Sequence, residues 1–243
     1  MDRERLIRFF EELRKRLIIT IVLVFLCAIV SFNFSDQVRH LLLLPSRGGY
    51  LGLGAGDVGL QLIFLTPSEA LLANLKLAFI ASALVTLPII LYQLVALITA
   101  AAGMARRLAV ILPVVMYLLF AIGFSFAYFV VLPFALNFFI GFASVDLVPN
   151  FSYARYISFT TSFLFSFGLV FQLPVVFWFL GSIELVNTAF LRRSRKYALL
   201  IIVIISAILT PPDVFSQILM AIPLMFLYEL GIIMVYLANR KKK

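Results

Sequence analysis

The stretch from Leu209 to Gly231, LTPPDVFSQILMAIPLMFLYELG, decides the fold. It sets a Pro-Pro-Asp break between two apolar runs, and the run before the break, Tyr197 to Thr210, is only 14 residues long. At 1.5 Å per residue that is about 21 Å of helix, against a hydrocarbon core of about 30 Å. A span that short, held in place, thins the lipid, tilts its neighbours or borders a wet cavity. Proline cannot continue the first helix, and Asp213 is a natural N-cap for the second.

The rest of the chain is as apolar as this hairpin. Hydrophobic residues make up 64% of the 243 and charged residues 13%, with a mean hydropathy of +1.13. The apolar residues gather into runs of membrane length, which excludes a water-soluble fold. Cys27 is the single cysteine and lies inside an apolar run, so no disulfide or thiolate metal site forms within one chain. Packing is the role that fits it. The single histidine, His40, excludes multi-histidine metal sites and reads as an interfacial surface residue. Residues Gly54 to Gly59 form a G-x-G-x-x-G, but no strand–helix context surrounds it, and a flexible Gly-rich loop is the plain reading. No phosphate-binding G-x-x-x-x-G-K-[ST] is present, and no acid–base or nucleophile constellation has its full membership, so no enzyme, metal or cofactor is expected.

Six helical segments are predicted in one all-α membrane domain, 1–243: roughly 17–34, 69–92, 107–137, 156–181, 197–210 and 215–237. The third exceeds what a bilayer needs, so Pro133 marks where it bends or leaves the lipid. The formal charge of +9 is distributed as topology, not as a nucleic-acid surface. Basic residues cluster at Arg3, Arg5, Arg8, Arg14, Lys15 and Arg16, at Arg106 and Arg107, at Arg192, Arg193, Arg195 and Lys196, and from Arg240 to Lys243. Those positions share one side of the six-span arrangement; the other side holds Arg39, Arg47 and Arg155, with Lys76 inside the second span. The positive-inside rule then places both termini in the cytoplasm. The first apolar run is long for a cleavable signal and no A-x-A-like site closes it, so it reads as a retained span. The acids at Asp2, Glu4, Glu11 and Glu12 do not suit an organelle transit peptide, which favours a bacterial cytoplasmic membrane. Segment 35–68 is the one sizeable outer region.

Polar residues inside apolar spans are costly and face protein or water. Gln172 sits mid-span in FGLVFQLPVV with Pro174 two residues later, where its amide bonds a carbonyl freed by the proline, another helix of the chain, or a partner. Glu69 and Lys76 lie two turns apart on one face of the second span, an end anchor and a snorkelling lysine. Gln217, one turn beyond Asp213, forms a polar patch with Thr210 near the outer rim of the hairpin. Glu229 falls towards the cytoplasmic end of the sixth span. At the N-terminus, FFEELRKRL reads as an amphipathic lead into the first span. Its basic residues suit the surface of anionic lipid, whereas Glu11 and Glu12 suit a cationic peptide better.

In their order and spacing, these patterns resemble the TatC family, the multi-spanning receptor subunit of the twin-arginine protein translocase. The resemblance rests on Glu12-Leu-Arg14-Lys-Arg16, TPSEA at 66–70 with Lys76, LPIILYQ at 87–93 ending on Gln93, FAYFVVLP at 126–133, YISF at 156–159, and the hairpin at 209–231. It implies a cupped bundle of six spans with short fifth and sixth helices. It also implies binding of twin-arginine signal peptides, recruitment of single-span TatA-like and TatB-like partners, and export of folded proteins driven by the proton-motive force, by a chain that forms homo-oligomers in a larger complex. Carried over by position, Glu12 and Arg14, with Glu11 beside them, match the signal-recognition surface. Thr210, Gln217, Asp213 and Gln172 match the region of partner-helix docking.

Two departures stand out. Gln172 falls where many members carry glutamate, which removes a titratable charge. The first cytoplasmic loop reads LITAAAGMARR from Leu97 to Arg107, without the family's proline and glutamate, and no acid occurs between Tyr92 and Arg107. The competing readings are a small-solute permease component, which has thin support from Lys76 and Gln172 alone, and a scaffold of the same fold with impaired signal recognition.

Overall fold

The computed structural model describes residues 3–46, 61–101, 107–141, 150–209 and 214–240. The elements are α1 (Arg3–Phe32), α2 (Ser35–Leu43), β1 (Gln61–Ile63), α3 (Pro67–Ala101), α4 (Leu108–Phe126), α5 (Leu132–Ile140), β2 (Asn150–Ser152), α6 (Tyr153–Val170), α7 (Leu173–Ser182), α8 (Thr188–Arg193), α9 (Arg195–Leu209) and α10 (Val214–Arg240). The expected all-α class holds. The two strands are three residues each and pair in parallel, Leu62 opposite Phe151. Among the described residues, five stretches of helix are long and apolar enough to cross a membrane: Glu11–Phe32, Pro67–Thr99, Leu108–Phe139, Tyr153–Ser182 and Gln217–Asn239. The fifth expected span is α9, whose 15 residues reach about 22 Å.

One expectation fails. The last helix is not short: α10 runs for 27 residues, about 40 Å. Pro223 lies inside it and removes one backbone N–H, yet the helix continues on both sides because its faces pack against α7 and α9. Its apolar stretch ends at Asn239, and the helix itself at Arg240.

The chain divides into two compact units, Met1–Leu41 with Thr66–Tyr117, and Leu42–Leu65 with Leu118–Lys243. In the first, α1 lies along α3. The contact is made by small and medium side chains, with Ala28, Ala73, Leu77 and Ala78 buried and Phe25 tilted against Phe79 at 6.3 Å. The larger apolar side chains of α1, among them Ile18, Ile21, Leu26 and Ile29, are exposed, as expected of a helix that faces lipid. The buried hydroxyls of Thr86 and Thr99 donate to carbonyls four residues back, at 2.8 Å each. Neither therefore carries an unsatisfied donor into the hydrocarbon.

The second unit is packed on aromatic rings. Phe159, Phe163 and Phe167 form a ladder on one face of α6 with centroids 5.4 and 5.0 Å apart. A Cβ on Gly168 would lie 2.5 Å from the Phe120 ring, so the close seating of α4 on α6 requires glycine there. The α7–α10 seam is built the same way: Gly231 receives the Phe177 ring, and Gly181 faces Val235.

The long third segment is resolved into α4, a π turn over Ala127–Val131, and α5. The Leu132 N–H bonds the Ala127 carbonyl five residues back, and Pro133 follows directly. Proline has no N–H to offer the carbonyl of Phe129, and the wider turn absorbs that loss without ending the helix. Tyr156 is buried and donates to the Leu42 carbonyl at 3.0 Å.

Candidate functional site

On α1, Glu12, Arg16 and Thr20 recur every four residues and therefore share one face. Arg16 is the centre of the group. Its Nη2 lies 3.6 Å from Glu12 Oε1, while Nη1 donates to the backbone carbonyl of Gln93 on α3 at 3.3 Å. Thr20 Oγ1 donates to Gln93 Oε1 at 2.6 Å. Gln93 thus fastens α3 to α1 at the level where Glu12 is presented. Glu12 keeps 60% of its side chain exposed, and Glu11, Arg14 and Lys15 are exposed beside it. An ion pair this open is worth about 0.3–0.5 kcal/mol, so an incoming guanidinium draws Glu12 away from Arg16 at little cost. Sequence reasoning named Glu12 and Gln93 but missed Arg16 and Thr20 as the link; the four-residue stripe was the available signal.

No acid occurs in the sequence between Tyr92 and Arg107. Helix α3 continues through Leu97 to Ala101, and residues 102–106 lie outside the described residues. Glu69 stands in the first turn of α3, where a carboxylate favours the helix dipole, and Lys76 is exposed two turns further on.

Gln172 serves its own helix. At the α6–α7 junction the Gln172 N–H bonds Leu169 O, three residues back, at 3.0 Å, so the Gly168 carbonyl loses its usual partner. The Gln172 side chain replaces it, with Nε2 donating to Gly168 O at 3.2 Å. Pro174 then opens α7 from its first turn. In this conformation Gln172 is buried, with 6% exposure.

In the hairpin, Gln217 Nε2 donates to the Val203 carbonyl at 3.0 Å and joins α10 to α9. Thr210 and Asp213 lie outside the described residues. At the other end of the pair, Arg195 Nη2 meets Glu229 Oε2 at 2.8 Å with both side chains about half exposed, and Tyr228 donates to Leu191 O at 2.8 Å. Glu229, expected as an interfacial residue, is therefore the far clasp of the hairpin. Along α9 an apolar face is open, with Leu200, Ile204 and Ile208 exposed.

A further carboxylate, Glu184, went unnoticed in the sequence. Helix α7 ends in a Schellman turn: Glu184 N bonds Gly181 O at 3.1 Å and Leu185 N bonds Leu180 O at 3.0 Å. The turn demands a left-handed residue, a position usually filled by glycine, and Glu184 occupies it with φ 63°. Because no glycine marks the spot, nothing in the sequence announces the turn. Among the described residues no group of three or more His, Cys, Asp or Glu side chains is arranged to hold a metal.

Comparison with known proteins bears on what these surfaces belong to. A family model described as Sec-independent protein translocase protein (TatC) matches residues 8–223. The chain is similar to the Sec-independent protein translocase protein TatC of Carboxydothermus hydrogenoformans, 36% identical over 230 residues that cover 93% of this chain and 90% of the relative. It is similar to that of Aquifex aeolicus, 37% identical with 96% and 95% covered, and to that of Escherichia coli K12, 36% identical with 95% and 88% covered. A crystal structure of the twin-arginine translocase receptor TatC superimposes with a TM-score of 0.82 at 35% identity, over 95% of this chain and 99% of that one. With its series of apolar helices, this multi-pass membrane protein belongs to the TatC family of Sec-independent protein translocase components.

Proposed function

We propose that the chain is the receptor core of a twin-arginine translocase. Both termini face the cytoplasm of a bacterial cell, and Glu12 on α1 accepts a guanidinium of the signal peptide. Glu11 adds negative charge, and Arg14 lies two residues further along the same helix. The hairpin α9–α10 receives single-span TatA-like or TatB-like helices on its apolar side, around Gln217, Thr210 and Asp213, and the assembly passes folded cargo at the expense of the proton-motive force. The observation that carries this reading is the Arg16–Gln93 anchor. It holds an exposed carboxylate in a fixed place, paired so weakly that a better-placed arginine displaces the internal one. The 15-residue α9 supports the second half, since a span shorter than the lipid exposes polar hairpin groups that a partner helix can cover.

Photo-crosslinkers at positions 12 and 217, in intact energised membranes, test both surfaces. Position 12 is expected to capture a twin-arginine precursor and position 217 a single-span partner. Capture of neither contradicts the receptor role. The acid-free first loop favours a second reading, a scaffold of the same fold without signal recognition. Under that reading Ala105→Glu restores export, whereas a native chain that already exports rejects it.

A further inference from the structure

Helices α8 and α9 abut at Ser194, whose N–H bonds Phe190 O at 3.0 Å and whose carbonyl accepts from Ala198 N at 2.9 Å. The junction is held to α10, because Leu191 is buried and its carbonyl accepts from the Tyr228 hydroxyl at 2.8 Å. Four bases, Arg192, Arg193, Arg195 and Lys196, therefore stand together on an anchored corner. Glu229 neutralises Arg195 at 2.8 Å. The other three are exposed and have no acid partner among the described residues.

Their positions on the two helices add to the charge. Arg192 and Arg193 lie in the last turn of α8, where the helix dipole favours cations. Arg195 and Lys196 open α9, where the dipole disfavours them, and no acid occupies that first turn. An external anion beside Lys196 gains from the cations and from the dipole alike.

The neighbouring surface points to what carries that anion. Phe190 and Tyr197 flank the bases in sequence and are exposed, and Lys196 Nζ lies 5.1 Å from the centre of the Tyr197 ring. Aromatic rings beside bases suit the level where lipid head groups meet hydrocarbon. From Tyr197 the exposed residues Ile201, Ile204 and Ile208 continue along one face of α9. That stripe runs for about 16 Å, close to half of a hydrocarbon core of about 30 Å. A free phosphate leaves it uncovered, whereas an acyl chain lies along it.

We propose that the α8–α9 corner binds an anionic phospholipid, its phosphate held by Arg192, Arg193 and Lys196 and one acyl chain lying along the stripe below Tyr197. The proposal does not depend on the receptor reading.

The test places the full chain in nanodiscs of phosphatidylglycerol and phosphatidylcholine, with no partner helix to compete for the stripe. Tyr197→Trp in a Trp178→Phe background sets an indole reporter at the site, and one lipid or the other carries brominated acyl chains. Brominated phosphatidylglycerol is expected to quench the reporter with a relative affinity about fivefold above that of phosphatidylcholine. Arg192→Gln with Arg193→Gln is expected to bring that ratio close to one, and Lys196→Gln alone to lower it. Equal quenching by the two lipids in the parent chain overturns the proposal. So does an equal loss of preference in Lys15→Gln with Arg107→Gln, a charge-matched change elsewhere, because the attraction is then a diffuse surface potential. Abolition of the preference by excess inorganic phosphate at constant ionic strength assigns the corner to a free anion and overturns the lipid.

Discussion

Helices α1 and α10 differ in what holds them. α1 is bound to α3 through small side chains and one polar knot, Arg16–Gln93–Thr20, and leaves most of its large apolar residues exposed. α10 is locked to α7 by a ring seated on Gly231 and by the contact of Gly181 with Val235, and to the preceding helices by the Glu229 and Tyr228 clasps. Association inside lipid depends on close approach and shape, because burial of apolar surface gains little there. The lesson is a division of labour. The seam with interlocked glycines supplies rigidity, and the loosely held helix supplies a surface on which a carboxylate can change partners.

The largest expected effect tests the rigid side. Gly231→Val places a branched side chain where the Phe177 ring sits, and is expected to destabilise the fold by about 3 kcal/mol. A thermal melt of the purified protein in detergent reads this directly, and an unchanged melting temperature breaks the comparison. Next comes Gln172→Ala, which leaves the Gly168 carbonyl without its side-chain donor in a buried junction. About 1–3 kcal/mol of stability is expected to go, with no specific loss of partner crosslinking at position 217. On the loosely held side, Gln93→Ala removes the Thr20 contact and is expected to cost about 1 kcal/mol. Its larger consequence is faster hydrogen exchange in the N-terminal half of α1, and protection equal to the native chain argues that the knot does not fix that helix. Glu229→Gln is the smallest change, under about 1 kcal/mol, because both partners of its ion pair are half exposed.

How far the sequence anticipates these regions follows from the chemistry of each. The spans are legible because every backbone group in lipid has to be satisfied within a helix, so apolar run length maps onto helix length. The brevity of α9 shows in Tyr197–Thr210 and its Pro-Pro stop. The segment read at 215–237 lies within α10, and only the shortness implied by the family resemblance fails, because packing against α7 and α9 carries the helix through Pro223. Gln172 beside Pro174 does signal a freed carbonyl, although that carbonyl belongs to Gly168 and arises from the tightened turn. Glu12 is legible as an acid among bases. Glu184 is not, since a left-handed turn without glycine has no mark in composition, and only the backbone bonds to Leu180 and Gly181 reveal it.

Binding of a twin-arginine peptide to the full chain in nanodiscs, compared with the twin-lysine peptide and with Glu12→Gln, tests the central claim most directly. The account predicts at least tenfold tighter binding of the arginine peptide, a preference that Glu12→Gln largely removes, as a lost charge-assisted hydrogen bond of about 1.5–3 kcal/mol requires. Equal affinity for the two peptides, or an arginine preference untouched by Glu12→Gln, contradicts it.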